Sequence, residues 1–285
     1  MNQPTRSQVG VAAALLLAAC TAPRIETKLQ RPARITEAAT SASAPRAVRV
    51  YSLDGNQTRF VPMPTASEWC AEVLLHLQQQ HPELQLAVHR VRYTNRVRLH
   101  TSTEQVVGWI RAHLETDPLL PGERILLFGH CQGALILSHL LHEHAADPQQ
   151  FAEFPWAAIA GLIGVDPPLV GGWISGPTWW DVLWRAVDLM VLGLGPDLAY
   201  PVSRDMRPDS PILAQCQKPA PGEVRLVRRA PDGTPVFHQT SGADAGGLWD
   251  HDPFRLEHRA TNPQNLRLLA ELEAILTAAV LGEGP

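Results

Sequence analysis

Five residues, Gly129-His130-Cys131-Gln132-Gly133, place the tightest constraint on what this chain can fold into. They follow the apolar run Ile125-Leu126-Leu127-Phe128 and precede Ala134-Leu135-Ile136-Leu137. The first run reads as a buried strand and the second as the start of a helix that continues to about Ala146. A strand that becomes a helix within five residues brings two backbones together where no side chain fits. The glycines two before and two after Cys131 meet that steric demand. The turn aims the Cys131 side chain away from the sheet, at the N-terminus of the new helix. That helix end favours a thiolate and a developing oxyanion.

The rest of the chain carries the same alternation. Val48 to Leu53 is a β-rich run ending at the turn signal Asp54-Gly55-Asn56. Ala66 to Gln80 has helical spacing, with Trp69, Val73, Leu74 and Leu77 on one side. Leu84 to Tyr93 alternates apolar and polar residues as a strand does. A second helix is expected from Thr101, whose spacing to Glu104 is that of a capping box, to about Glu115. Further strands are expected within Phe154 to Val165 and at Glu223 to Val227, and a final helix from about Pro263 to Leu281. Strands separated by helices imply a mostly parallel central sheet with helices on both faces. No internal repeat is visible. With 45% hydrophobic residues the chain is too apolar to be disordered, and a formal net charge of −4 argues against a nucleic-acid partner.

The G-x-Cys-x-G turn in its strand–turn–helix setting resembles the nucleophile elbow of the α/β-hydrolase superfamily, whose lipases and esterases often carry Gly-His-Ser-Gln-Gly. Here Cys131 replaces the serine, as in elbows that resemble those of dienelactone hydrolases and polyhydroxyalkanoate synthases. The resemblance implies an α/β-hydrolase fold over residues 47–285 and a triad in the chain order nucleophile, acid, base. The base is expected at His258, on the loop before the final helix, with His251 and His238 as rivals. The acid is expected at Asp232, with Asp166 as the rival; Pro231-Asp232-Gly233 also reads as a hairpin turn. The oxyanion hole should use the backbone N–H of Gln132 and a second donor from Asp54-Gly55-Asn56. No cofactor is expected, and the spacing of His139, His142 and His144 does not by itself suggest a metal site.

The N-terminus reads as an address. Arg6 and the apolar run Val9 to Leu17 end in Leu17-Ala18-Ala19-Cys20, which resembles the lipobox of bacterial lipoproteins. Residues 1–19 would be a signal peptide, Cys20 the lipidated residue, and residues 20–46 a flexible tether. The expected location is the bacterial cell envelope, lipid-anchored, at the outer membrane if the cell is Gram-negative. In an oxidising compartment Cys70 and Cys216 would be the one pair open to a disulfide. Residues 171–215 break the strand–helix rhythm and hold Trp173, Trp179, Trp180 and Trp184; the resemblance implies an apolar cap here over a small-molecule or lipid-like ester substrate, and the alternative is ordinary core beneath a long loop. The sequence therefore points to a carboxylic ester or thioester hydrolase. An acyltransferase with the same nucleophile and a catalytically silent binding lipoprotein are the alternatives.

Overall fold

The computed structural model describes residues 25–27, 46–55, 66–93, 97–169, 205, 210–227, 254 and 263–282. In chain order the elements are β1 (Ile25–Thr27), β2 (Ala47–Leu53), α1 (Ala66–Gln80), β3 (Gln85–Val91), α2 (Leu99–Thr116), β4 (Arg124–His130), α3 (Gln132–Ala146), β5 (Ile159–Val165), α4 (Pro211–Cys216), β6 (Glu223–Leu226) and α5 (Pro263–Leu281). The described strands form one sheet in the order β1-β3-β2-β4-β5-β6. Every pairing from β3 to β6 is parallel, and β1 joins the β3 edge antiparallel. The expected mostly parallel sheet is therefore present. Three residues of the expected tether, Ile25–Thr27, pair with that sheet as its edge strand.

Strand alternation divides the core in two. Tyr51, Leu53, Ile125 and Leu127 face α2, α3 and α4. Val48, Val50, Leu126 and Phe128 face α1 and α5. Both faces are thus buried, which explains why β4 is apolar from Ile125 to Phe128 and does not alternate there. The division also decides whether Cys70 and Cys216 cross-link or pack. Both thiols are free. Cys70 packs with α1 under one face of the sheet and Cys216 with α4 under the other. No bridge can pass through a packed sheet, so the two cysteines pack and do not cross-link. Burial pushes both thiols up, Cys216 to about 12.

Helix α2 starts at Leu99, with Arg98 as its N-cap, and the expected Thr101–Glu104 capping box does not form. The cap comes from far along the chain: Asp205 Oδ2 accepts the Leu99 N–H at 2.6 Å and the Arg98 Nε–H at 3.0 Å. A carboxylate at a helix N-terminus satisfies an orphan donor and meets the positive end of the dipole. Sequence spacing could not reveal a cap supplied from 106 residues away.

At the opposite end of the strands a buried cation holds the α2–β4 loop. Arg49, on β2, is 0% exposed. Its Nε donates to Glu123 Oε1 at 3.0 Å and its Nη1 to the Asp117 carbonyl at 2.6 Å. Glu123 Oε2 in turn accepts the Leu120 N–H at 2.7 Å. Removing one member of a buried ion pair strands the other, at a cost of about 3–5 kcal/mol. Arg49→Met should therefore lower unfolding stability by about that amount in urea titrations. Arg49→Met combined with Glu123→Leu should recover part of the loss.

Candidate active site

Cys131 has φ 51° and ψ −120°, between the end of β4 and the start of α3. A non-glycine residue at positive φ is strained, and such strain persists only where the surroundings enforce it. The enforcement is visible. Cys131 N–H donates to the Val165 carbonyl at 2.8 Å, tying the turn to neighbouring β5. The Cys131 carbonyl accepts the Leu135 N–H at 3.2 Å, the first bond of the helix. A Cβ at Gly129 would sit 2.6 Å from the Ala134 Cα, and one at Gly133 would sit 2.5 Å from the Leu53 carbonyl oxygen. The steric reading of the five-residue turn holds in full. The thiol-bearing residue is partly exposed at the C-terminal edge of the parallel strands, where open α/β sheets take their ligands.

The loop after β2 packs directly on this turn. A Cβ at Gly55 would lie 3.0 Å from Cys131 Cβ and 3.7 Å from its Sγ. The loop expected to give the second oxyanion donor therefore begins against Cys131, the expected nucleophile. Gln132, the expected first donor, opens α3, where the N–H groups of the first turn have no intrahelical acceptor. Asn56 lies outside the described residues.

Three contacts fix Asp54, the residue before Gly55. Its Oδ1 accepts the Ser67 N–H at 2.9 Å, at the start of α1. Its Oδ2 is 2.7 Å from Arg90 Nε in a buried ion pair. Its carbonyl accepts the Tyr93 hydroxyl at 2.9 Å. Burial, followed by the neighbouring Cys131 and Asp54, pushes the Tyr93 phenol well above its usual range, so it stays a neutral donor. Sequence reasoning placed Tyr93 only as the end of a strand and did not single out Arg90. An extended apolar run with a polar terminus carries no local sign that its tip meets another strand's loop.

Asp166 immediately follows β5, is 5% exposed, and has φ 46°. Its N–H donates to the Leu226 carbonyl at 2.9 Å. Since Cys131 bonds the carbonyl of Val165, Asp166 stands at the sheet edge beside the turn. Phe254 is fully buried and its ring meets that of His130 edge-on at 4.8 Å, and that of Trp69 at 5.6 Å. Asp232, His258, His251, His238, Cys20 and the tryptophans of 171–204 lie outside the described residues. The structure thus brings together Cys131, Gln132, Gly55 and Asp166.

No protein-family model matches the chain, and no curated protein matches it. Among solved structures it is similar to a bacterial brefeldin A esterase described as a homologue of human hormone sensitive lipase, with 15% identity, TM-score 0.43, and 96% of this chain and 85% of that one covered. It is also similar to a thermostable carboxylesterase cloned from a metagenomic library, with 16% identity, TM-score 0.41 and 96% of each chain covered. Esterase B of Lactobacillus rhamnosis, inhibited by a tributyrin phosphonate, gives 12% identity, TM-score 0.43, and coverage of 97% and 96%. The mostly parallel sheet with helices on both faces expected from sequence is present, and Cys131, at positive φ, follows its strand β4.

The glycines separate by environment, which gives a test. Gly129→Ala and Gly133→Ala each force a Cβ into backbone and should cost several kcal/mol or prevent folding. Gly108, inside α2 with nothing within 4 Å of an added Cβ, should gain about 0.5–1 kcal/mol on change to Ala. Thermal unfolding of the three variants distinguishes these outcomes.

Proposed function

We propose that this chain hydrolyses carboxylic ester or thioester bonds through Cys131, as an exported protein anchored to a bacterial membrane by a lipid on Cys20. The observation that carries the reading is the Cys131 elbow. A partly exposed thiol is held at positive φ at the N-terminus of α3, with the Gly55 backbone against it. An inert structural cysteine has no need of that strain.

His258 takes the thiol proton, and the Cys131 sulfur attacks the substrate carbonyl carbon. The carbonyl electron pair moves to oxygen, and the oxyanion meets the Gln132 N–H and a donor from the Gly55 loop. Collapse expels the alcohol or thiol, which takes its proton from His258, and leaves an acyl thioester on Cys131. Water, deprotonated by His258, then attacks that thioester, releasing the acid and returning the proton to sulfur. Asp232 orients His258 and stabilises its cation. Phe254 supports a base nearby. It packs on His130 beside the nucleophile, and the four-residue step from Phe254 to His258 spans at most about 14 Å. The buried position of Asp166 beside the elbow favours a second reading for the acid alone.

Hydrolysis of short and medium p-nitrophenyl esters tests the proposal. The wild-type protein should turn over and be labelled by a thiol-directed probe. Cys131→Ala should lose labelling and at least about a thousandfold in kcat. Asp232→Asn should cost more in kcat than Asp166→Asn, and the reverse order transfers the acid role to Asp166. Absence of both labelling and turnover would support a binding lipoprotein instead. Labelling with turnover only when an alcohol acceptor is added would support acyl transfer. Palmitate incorporation should occur in the wild-type protein and not in Cys20→Ala.

A further inference from the structure

The second half of the helix that begins at the elbow presents a cluster unrelated to Cys131. His139 and Glu143 are one turn apart on α3, and His100 lies in the first turn of α2. One ligand atom from each lies within 4.8 Å of the other two. His139 is 2% exposed, yet neither ring nitrogen has a hydrogen-bond partner among the described residues. A neutral imidazole carries one donor and one acceptor, and leaving them unmet in a core is unfavourable.

We propose that His100, His139 and Glu143 bind a divalent transition ion of the zinc class, which ties the first turn of α2 to α3. Two imidazoles and one carboxylate are a zinc donor set, with water completing a tetrahedron. Zinc–ligand bonds of about 2.0–2.2 Å place tetrahedral ligands about 3.4 Å apart, so the cluster must contract by about an ångström. The side chains of His100 and Glu143 are 41% and 22% exposed, which permits that movement and gives the ion access from solvent. His100 Nδ1 faces Glu143 Oε2 at 3.7 Å, while its Nε2 faces Glu104 Oε1 at 3.5 Å. Nδ1 would hold the metal, and Glu104 would accept the proton of the other nitrogen, as outer carboxylates do for ligating histidines. Gln150 donates to Glu143 Oε2 at 2.7 Å, which orients the carboxylate. The neighbouring cation, Arg98, is engaged by Asp205, with Nη2 at 2.6 Å from Oδ1.

A second cluster, His89, His113 and Asp117, shares the geometry but not the chemistry. There Arg49 Nη1 stands 3.5 Å from Asp117 Oδ2, and the Tyr51 hydroxyl shares a 2.8 Å hydrogen bond with His113 Nδ1. A permanent cation among the ligands opposes a dication. The α2–α3 site has no such intruder among the described residues.

His139 is about 12 Å along the helix from Cys131, at 1.5 Å per residue, so the ion would brace the scaffold and take no part in the thiol chemistry. Independence from the hydrolase reading makes the test clean. Untagged, metal-stripped protein is titrated with zinc chloride against a chromophoric chelator, with thermal unfolding in parallel. One zinc per chain and a raised Tm are expected, since an ion that binds only the folded state stabilises it. His100→Ala and His139→Leu should lose more than about a hundredfold in affinity and the Tm response, and Glu104→Gln about tenfold. Cys131→Ser should bind zinc as the wild-type protein does. Failure of the wild-type protein to bind, or undiminished binding in folded His100→Ala, overturns the site.

Discussion

Everything at the C-terminal edge of this sheet depends on two backbones meeting without a side chain between them. Gly133, in the first turn of α3, lies directly against the carbonyls of Leu53 and Asp54, where a Cβ would be 2.5 and 2.7 Å away. Gly129 gives the same clearance between β4 and Ala134. Because α3 can sit that close, Cys131 is forced into positive φ and its thiol stands clear of the sheet. The strain is local, and it is offset by burial of α3, whose residues from Gln132 to Leu141 are all buried.

The same approach links the elbow to the rest of the candidate site. The Asp54 carbonyl that lies over Gly133 is also the acceptor for the Tyr93 hydroxyl. The Asp54 carboxylate holds Arg90 and the start of α1. One acidic residue thereby couples β2, β3 and α1 to the position of Gly55, which rests on Cys131. The proposed oxyanion site needs donors that do not reorganise during the reaction, and Asp54, held by three contacts, would keep Gly55 in place for it.

What the sequence made legible was local. The glycines flanking Cys131, the apolar strand before it and the periodic helices around it all follow from steric and hydrophobic periods within a dozen residues. Features built across the chain were not legible. The α2 cap comes from Asp205, so the capping-box spacing of Thr101 and Glu104 misled. Cys70 and Cys216 looked like a pair by elimination, but burial under opposite faces of the sheet separates them. Reading His139, His142 and His144 along one helix could not show that His100, on another helix, stands beside His139 and Glu143. Tyr93 and Arg90 acquire their roles only when β3 is laid beside β2.

The central claim is that Cys131 is a nucleophile that carries an acyl group. Intact-protein mass spectrometry after acid quenching of a reaction with p-nitrophenyl butyrate tests it most directly. The account predicts a single butyryl adduct that peptide mapping places on Cys131, that decays on dilution into buffer, and that is absent from Cys131→Ala. An unmodified protein that still hydrolyses the ester, or an adduct that persists in Cys131→Ala, would contradict it.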